Sequence, residues 1–92
     1  MDFEEIKIGI VIPVYNKERF ISNTLDSINN LITKPYEVII IDDGSTDNSL
    51  ELVTKLTLNK NYKIISQKNQ GVSSARNNGI KLCTSDYILF LG

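Results

Sequence analysis

Two adjacent carboxylates, Asp42 and Asp43, follow Val38-Ile39-Ile40-Ile41 and precede Gly44-Ser45-Thr46-Asp47. Four consecutive branched aliphatics read as a strand buried on both faces of a parallel sheet. The carboxyl end of such a strand is where open α/β sheets bind ligands. One acid can cap the Gly44-Ser45 turn, an ordinary role for Asp, but the turn does not need a second. A carboxylate here can accept the imide N–H of a uracil or hold a ribose hydroxyl, with Asp43 placed nearer the base. Asp47 reads as a helix-start residue.

Pro13-Val14-Tyr15-Asn16 marks the end of an earlier apolar run. Tyr15 offers a flat face for stacking and a hydroxyl for hydrogen bonding, although a tyrosine packed on the rim would look the same. Asn16 suits a helix cap as well as a ligand contact. Glu18 falls in a first helical turn, where the helix dipole favours an acid in any case. Further on, Asn69-Gln70-Gly71 leads into Val72-Ser73-Ser74-Ala75-Arg76. At 100° per residue Val72, Ala75, Gly79 and Cys83 share a helix face, and Arg76 is expected to project from its middle. An arginine there needs a partner: a carboxylate such as Asp42 or Asp86, or a phosphate gripped in two places. Gly71 stands at the helix start, where free N–H groups attract anions.

These residues need a frame, and the chain alternates strand and helix to give one. Expected strands run Lys7–Val14, Tyr36–Ile41, Tyr62–Ser66 and Asp86–Leu91. Helices are expected from about Lys17 to Ile32, from near Thr46, and from Val72 to Cys83. Asn16 is the expected cap of the first helix, and Ser45 or Thr46 of the second. Ile21, Leu25, Ile28, Leu31 and Ile32 carry the amphipathic stripe of the first helix. This order predicts an open three-layer α/β fold with a parallel sheet, right-handed crossovers and strand order 3-2-1-4. Its switch point, between strands one and four, is the expected crevice. Two helices would cover one face and one the other. Strand four would have a free edge, which makes the chain look truncated after it and prone to self-association.

Ninety-two residues allow one small domain or part of a larger one. A net charge of −1 gives no reason to expect nucleic acid as a partner. The acidic start, Met1-Asp2-Phe3-Glu4-Glu5, is not a secretory signal. The lone Cys83 fits a reducing, cytoplasmic compartment and a core-filling role. The chain contains no histidine, the commonest acid–base residue.

Taken together, Ile10 to Asn16, Val38 to Asp47, Asn69 to Asn77 and Asp86 to Leu91 resemble family 2 glycosyltransferases of the Rossmann-like GT-A fold. The four blocks stand in the family's order and spacing and cover nearly the whole chain. The resemblance implies a nucleotide-diphosphosugar donor, often a UDP-sugar, a divalent cation (Mn or Mg), and transfer with inversion to a saccharide or lipid-linked acceptor in polysaccharide biosynthesis. It puts Pro13 and Tyr15 in the base pocket, Asp43 on the uracil with Asp42 in support, and Arg76 near the diphosphate. Val14, Asn16, Glu18 and Gly71 complete the candidate donor-binding set. The family's metal-binding acids and catalytic base come after the fourth strand, so residues 1–92 correspond to its nucleotide-binding half. No catalytic residue or metal ligand is assigned within them. The longer protein would work in the cytoplasm or at the cytoplasmic face of a membrane.

Other functions fit less well. A phosphoacceptor receiver domain places its acid pair after strand one and a lone Asp after strand three, whereas strand three here ends Ser66-Gln67-Lys68. A sugar-nucleotide-forming nucleotidyltransferase needs a glycine-rich loop where Pro13-Val14-Tyr15-Asn16 stands. A nucleotide-binding module without catalysis remains an alternative.

Overall fold

The structure, a computed structural model, describes residues 6–92. Its elements run β1 (Ile8–Val14), α1 (Ile21–Asn29), β2 (Glu37–Asp43), α2 (Ser49–Leu56), β3 (Lys63–Gln67), α3 (Val72–Leu82) and β4 (Tyr87–Phe90). All pairings are parallel, in the order β3-β2-β1-β4, as the alternation of elements predicts.

Alternation along the two central strands divides the core. Ile10, Ile12 and Val14 of β1, with Val38 and Ile40 of β2, pack against Ile21, Leu25 and Ile28 of α1 and Val53 of α2. Val11, Ile39 and Ile41 face the other way and meet Ala75 of α3. Two helices cover one face and one covers the other, as expected. The small residues of α3 allow a close approach: a β-carbon on Gly79 would run into the methyls of Val11. On β4, Tyr87 and Leu89 stay largely exposed.

Several expected boundaries move. β2 runs two residues further than Ile41, so both aspartates lie within the strand, Asp42 beside Ser66 and Asp43 beside Gln67. α1 begins at Ile21 rather than Lys17; in the turn before it the N–H groups of Lys17 and Glu18 donate to Ser49 Oγ at 2.7 Å and Asp47 Oδ2 at 3.3 Å. It ends at Asn29, which leaves Leu31 and Ile32 exposed beyond the expected stripe. Asn30, β-branched Ile32 and Thr33, and Pro35 are poor continuations of a helix. α2 starts at Ser49 with neither Ser45 nor Thr46 as its cap. Asp47 Oδ1 instead accepts from Ser49 N at 2.8 Å, in keeping with its expected place at a helix start.

Candidate functional site

The carboxyl edge of the sheet is where the chain makes its unusual backbone choices. Among the described residues, positive φ occurs at Asn16 (52°), Gly44 (68°) and Gly71 (99°), all in loops on this edge. Asn16 tolerates the left-handed region and ties two loops together. Its Oδ1 accepts from Thr46 N at 2.8 Å and Asp47 N at 3.2 Å, and its own N–H donates to Ser45 Oγ at 3.0 Å. It does not cap α1; it holds the loop between β2 and α2. Gly44 must remain glycine for space as well as for its φ, since a β-carbon would lie 2.7 Å from Asn69 N.

Successive residues of a strand point to opposite faces, and this separates the two aspartates. Asp42 faces the side of α1 and α2, where its Oδ1 accepts from Ser45 Oγ at 2.6 Å and its Oδ2 from Ser45 N at 3.3 Å. It is the turn residue. Asp43 faces α3 and is 3% exposed. Its Oδ1 accepts from Gln67 Nε2 and Gln70 N, both at 2.8 Å, and its Oδ2 from Gly71 N at 2.9 Å. Burial opposes its ionisation, but the bonds from Gln67, Gln70 and Gly71 outweigh it and hold the carboxyl below the usual aspartate range. A carboxylate has about four lone-pair positions, so three partners leave Asp43 about one, on Oδ2.

Asp43 borders a cleft of about 430 Å³ between the ends of β1 and β2 and the start of α3. The expected crevice between strands one and four is not where it lies: no residue of β4 lines it, because the loops that follow β2 and β3 close over the ends of β1 and β2 instead. Pro13, Val14 and Tyr15 form one wall, and Asp43, Gly71 and Val72 another. Tyr15 is 44% exposed, so its ring is free to stack. Lys17 and Asn69 complete the lining.

Of the nine candidate residues, the fold brings Pro13, Val14, Tyr15, Asp43 and Gly71 together around this cleft, while Asn16, Glu18, Asp42 and Arg76 stand outside its lining. Arg76 does not sit in the middle of the sheet-facing side of α3. One residue beyond buried Ala75, it is turned to the flank of the helix, exposed, with its guanidinium 5.7 Å from the Phe90 ring of β4. Neither expected carboxylate partners it: Asp42 serves Ser45, and Asp86 Oδ2 accepts from Lys7 N at 2.9 Å. Val72 is half exposed rather than packed on the sheet. Lys17, Asn69 and Val72 line the cleft, although the sequence gives them only places in a helix start, a loop and a helix face. The available signal was position, each lying within three residues of a strand end or helix start on the carboxyl edge of the sheet.

A half-buried carboxylate also escaped the sequence reading. Glu37, the first residue of β2, accepts on Oε2 from Thr84 N at 2.7 Å, Ser85 Oγ at 2.5 Å and Cys83 Sγ at 3.1 Å. Burial works against its charge, yet the hydrogen bonds from Ser85, Cys83 and Thr84 prevail and its pKa falls to about 2. Half-buried Cys83 packs against the Val11, Ile39, Ile41 and Ala75 cluster, in keeping with its expected core-filling role, and its thiol donates to Glu37 as well.

Residues 9–92 match the family described as Glycosyl transferase family 2. An uncharacterized glycosyltransferase of Rickettsia conorii is 40% identical over 87 residues, covering 95% of this chain and 14% of that protein. The poly(ribitol-phosphate) beta-glucosyltransferase of Bacillus spizizenii is 38% identical over 91 residues, covering 94% of this chain and again 14% of the relative. The chain thus spans about a seventh of the length of these curated relatives. The crystal structure of S. aureus TarS residues 1–349 in complex with UDP-GlcNAc superposes with a TM-score of 0.85 at 30% identity, covering 94% of this chain and 26% of TarS.

Proposed function

The chain belongs to glycosyl transferase family 2, and from that premise we propose that its cleft holds the nucleotide of a diphosphosugar donor, uridine being the base. The observation that carries this reading is the single remaining acceptor of Asp43 at the wall of a cleft whose other wall is the exposed Tyr15 ring. A uracil edge presents an imide N–H to such an acceptor while its face stacks on tyrosine. The UDP-GlcNAc complex of TarS supports the donor class. Lys17, on the cleft lining, and Arg76, exposed and without an ion pair among the described residues, are the cations available to the diphosphate.

The longer enzyme transfers the sugar with inversion to a saccharide or lipid-linked acceptor on the cytoplasmic side, and residues 1–92 form its nucleotide-binding half. The residues described do not fit a divalent cation. Among them no three His, Cys, Asp or Glu side chains converge, and Asp42 and Asp43 face opposite sides of the sheet. On this reading the 92-residue chain binds nucleotide without transferring sugar.

Calorimetric titration with UDP and with GDP, each with and without manganese, tests the proposal. UDP is expected to bind more tightly than GDP and with little dependence on manganese. Equal affinity for both nucleotides, or none for UDP, would defeat the uridine reading. Sugar transfer by the chain alone would defeat the division of labour.

A further inference from the structure

Asp43 would not present its free lone pair to the cleft unless its other contacts fixed the carboxylate plane. Two of these are backbone N–H groups at the start of α3, and the third is the side-chain amide of Gln67. An amide can turn over, offering either its N–H groups or its oxygen. Here the choice is made one residue further away. The Oε1 of Gln67 accepts from Nδ2 of Asn78, in the middle of α3, which leaves the Nε2 of Gln67 to donate to Asp43 at 2.8 Å. Gln67 and Asn78 are half-buried and Asp43 is buried. Neither amide lines the cleft.

We propose that Asn78 and Gln67 are a pair of positioning residues. Asn78 sets the orientation of the Gln67 amide, and Gln67 fixes the Asp43 carboxylate with one acceptor turned to the cleft. Base selection follows from this arrangement and rests on the reading of the cleft as a uridine site. An acceptor-only group accommodates the imide N–H of uracil and repels the acceptor nitrogen at the same place in cytosine.

The pair makes an unusual demand on substitutions at Asn78. Asn78→Ala removes the lock but leaves Gln67 able to donate to Asp43. Asn78→Asp is nearly isosteric, yet a carboxylate can only accept. It should draw the Gln67 N–H groups to itself and turn the Gln67 oxygen toward Asp43. The isosteric change should therefore do more damage than the truncation, opposite to what loss of packing would give. Gln67→Leu removes the donor outright.

The test follows the side-chain carbon of Asp43 by NMR titration in the 92-residue chain, with UDP and CDP affinities measured alongside. Gln67→Leu and Asn78→Asp should raise the titration midpoint of Asp43, and Asn78→Ala should raise it less. UDP affinity should fall roughly tenfold in Gln67→Leu, and the preference for UDP over CDP should shrink with it. An unmoved Asp43 titration in Gln67→Leu and Asn78→Asp overturns the pair. So does a moved titration with unchanged nucleotide preference, since the residues would then be structural only. If the parent binds no UDP while Asp43 still responds in the predicted order, the uridine reading fails and the pair stands as the device that orients this carboxylate.

Discussion

β2 carries a hydrogen-bonded carboxylate at each end, half-buried Glu37 and buried Asp43, and both clamp α3. Asp43 gathers donors from the segment that leads into the helix; Glu37 gathers them from the segment that leaves it. Both are held ionised against burial by hydrogen bonds. They differ in what is left over. The Oε2 of Glu37 takes Cys83, Thr84 and Ser85, and its Oε1 stands 4.0 Å from Lys63 Nζ. Both border a hollow, but Asp43 keeps an acceptor free and has no ion-pair partner among the described residues. The same side-chain chemistry on one strand thus gives a latch at one end and an open acceptor beside a cleft at the other.

The largest expected effect tests the latch. A fall from the ordinary 4.5 to about 2 for Glu37 corresponds to about 3 kcal/mol of stability. Because the folded pKa lies below the unfolded one, this contribution is full above about pH 5 and lost as the pH falls toward 2. Glu37→Gln should therefore be about 3 kcal/mol less stable than the parent in urea at pH 7, with the gap closing near pH 2. A gap independent of pH would mean that the hydrogen-bonded charge is not what holds this end of α3. UDP affinity should not change.

Gly79→Ala attacks the packing of the helix between its two clamps. A β-carbon there meets stiff, β-branched Val11, so a loss of 1–3 kcal/mol is expected on thermal unfolding, about the usual cost of overpacking. A neutral result would show that α3 slides on the sheet without cost.

Tyr15→Ala separates recognition from stability. The ring is 44% exposed, so stability should stay within about 0.5 kcal/mol. UDP binding should weaken by roughly 1–3 kcal/mol, the range for a base stacked on an aromatic ring. Stability loss without a change in affinity would make Tyr15 a packing residue.

The smallest effect is expected from Arg76→Lys. Its contact with Phe90 is exposed and worth about 0.5–1 kcal/mol, part of which lysine keeps. Stability should barely move. If the guanidinium serves the diphosphate, UDP should lose affinity while uridine does not, since an ammonium cannot reproduce a two-pronged contact. Parallel titrations of the two ligands decide.

Residues 38–41 identified the central strand, and the order of apolar runs was enough for the parallel sheet and its 3-2-1-4 winding. Those features rest on local periodicity and on general rules of handedness, which a sequence carries directly. Pro13, Val14, Tyr15, Asp43 and Gly71 were legible for the same reason, since strand ends and helix starts are local signals. The division of labour between Asp42 and Asp43 was not. It depends on β2 continuing through both residues, which sends one carboxylate to Ser45 and the other across 28 positions to Gly71. Arg76 was misplaced because a helical wheel gives angles but not which flank meets the neighbouring strand. The Glu37 latch and the Asn78–Gln67 relay join residues 47 and 11 positions apart through side chains whose partners no local pattern names. The sequence by itself determined the elements and the edge of the sheet where ligands would sit. Only the tertiary structure decided which carboxylate keeps a free lone pair there, because that depends on every donor the fold brings within hydrogen-bond reach.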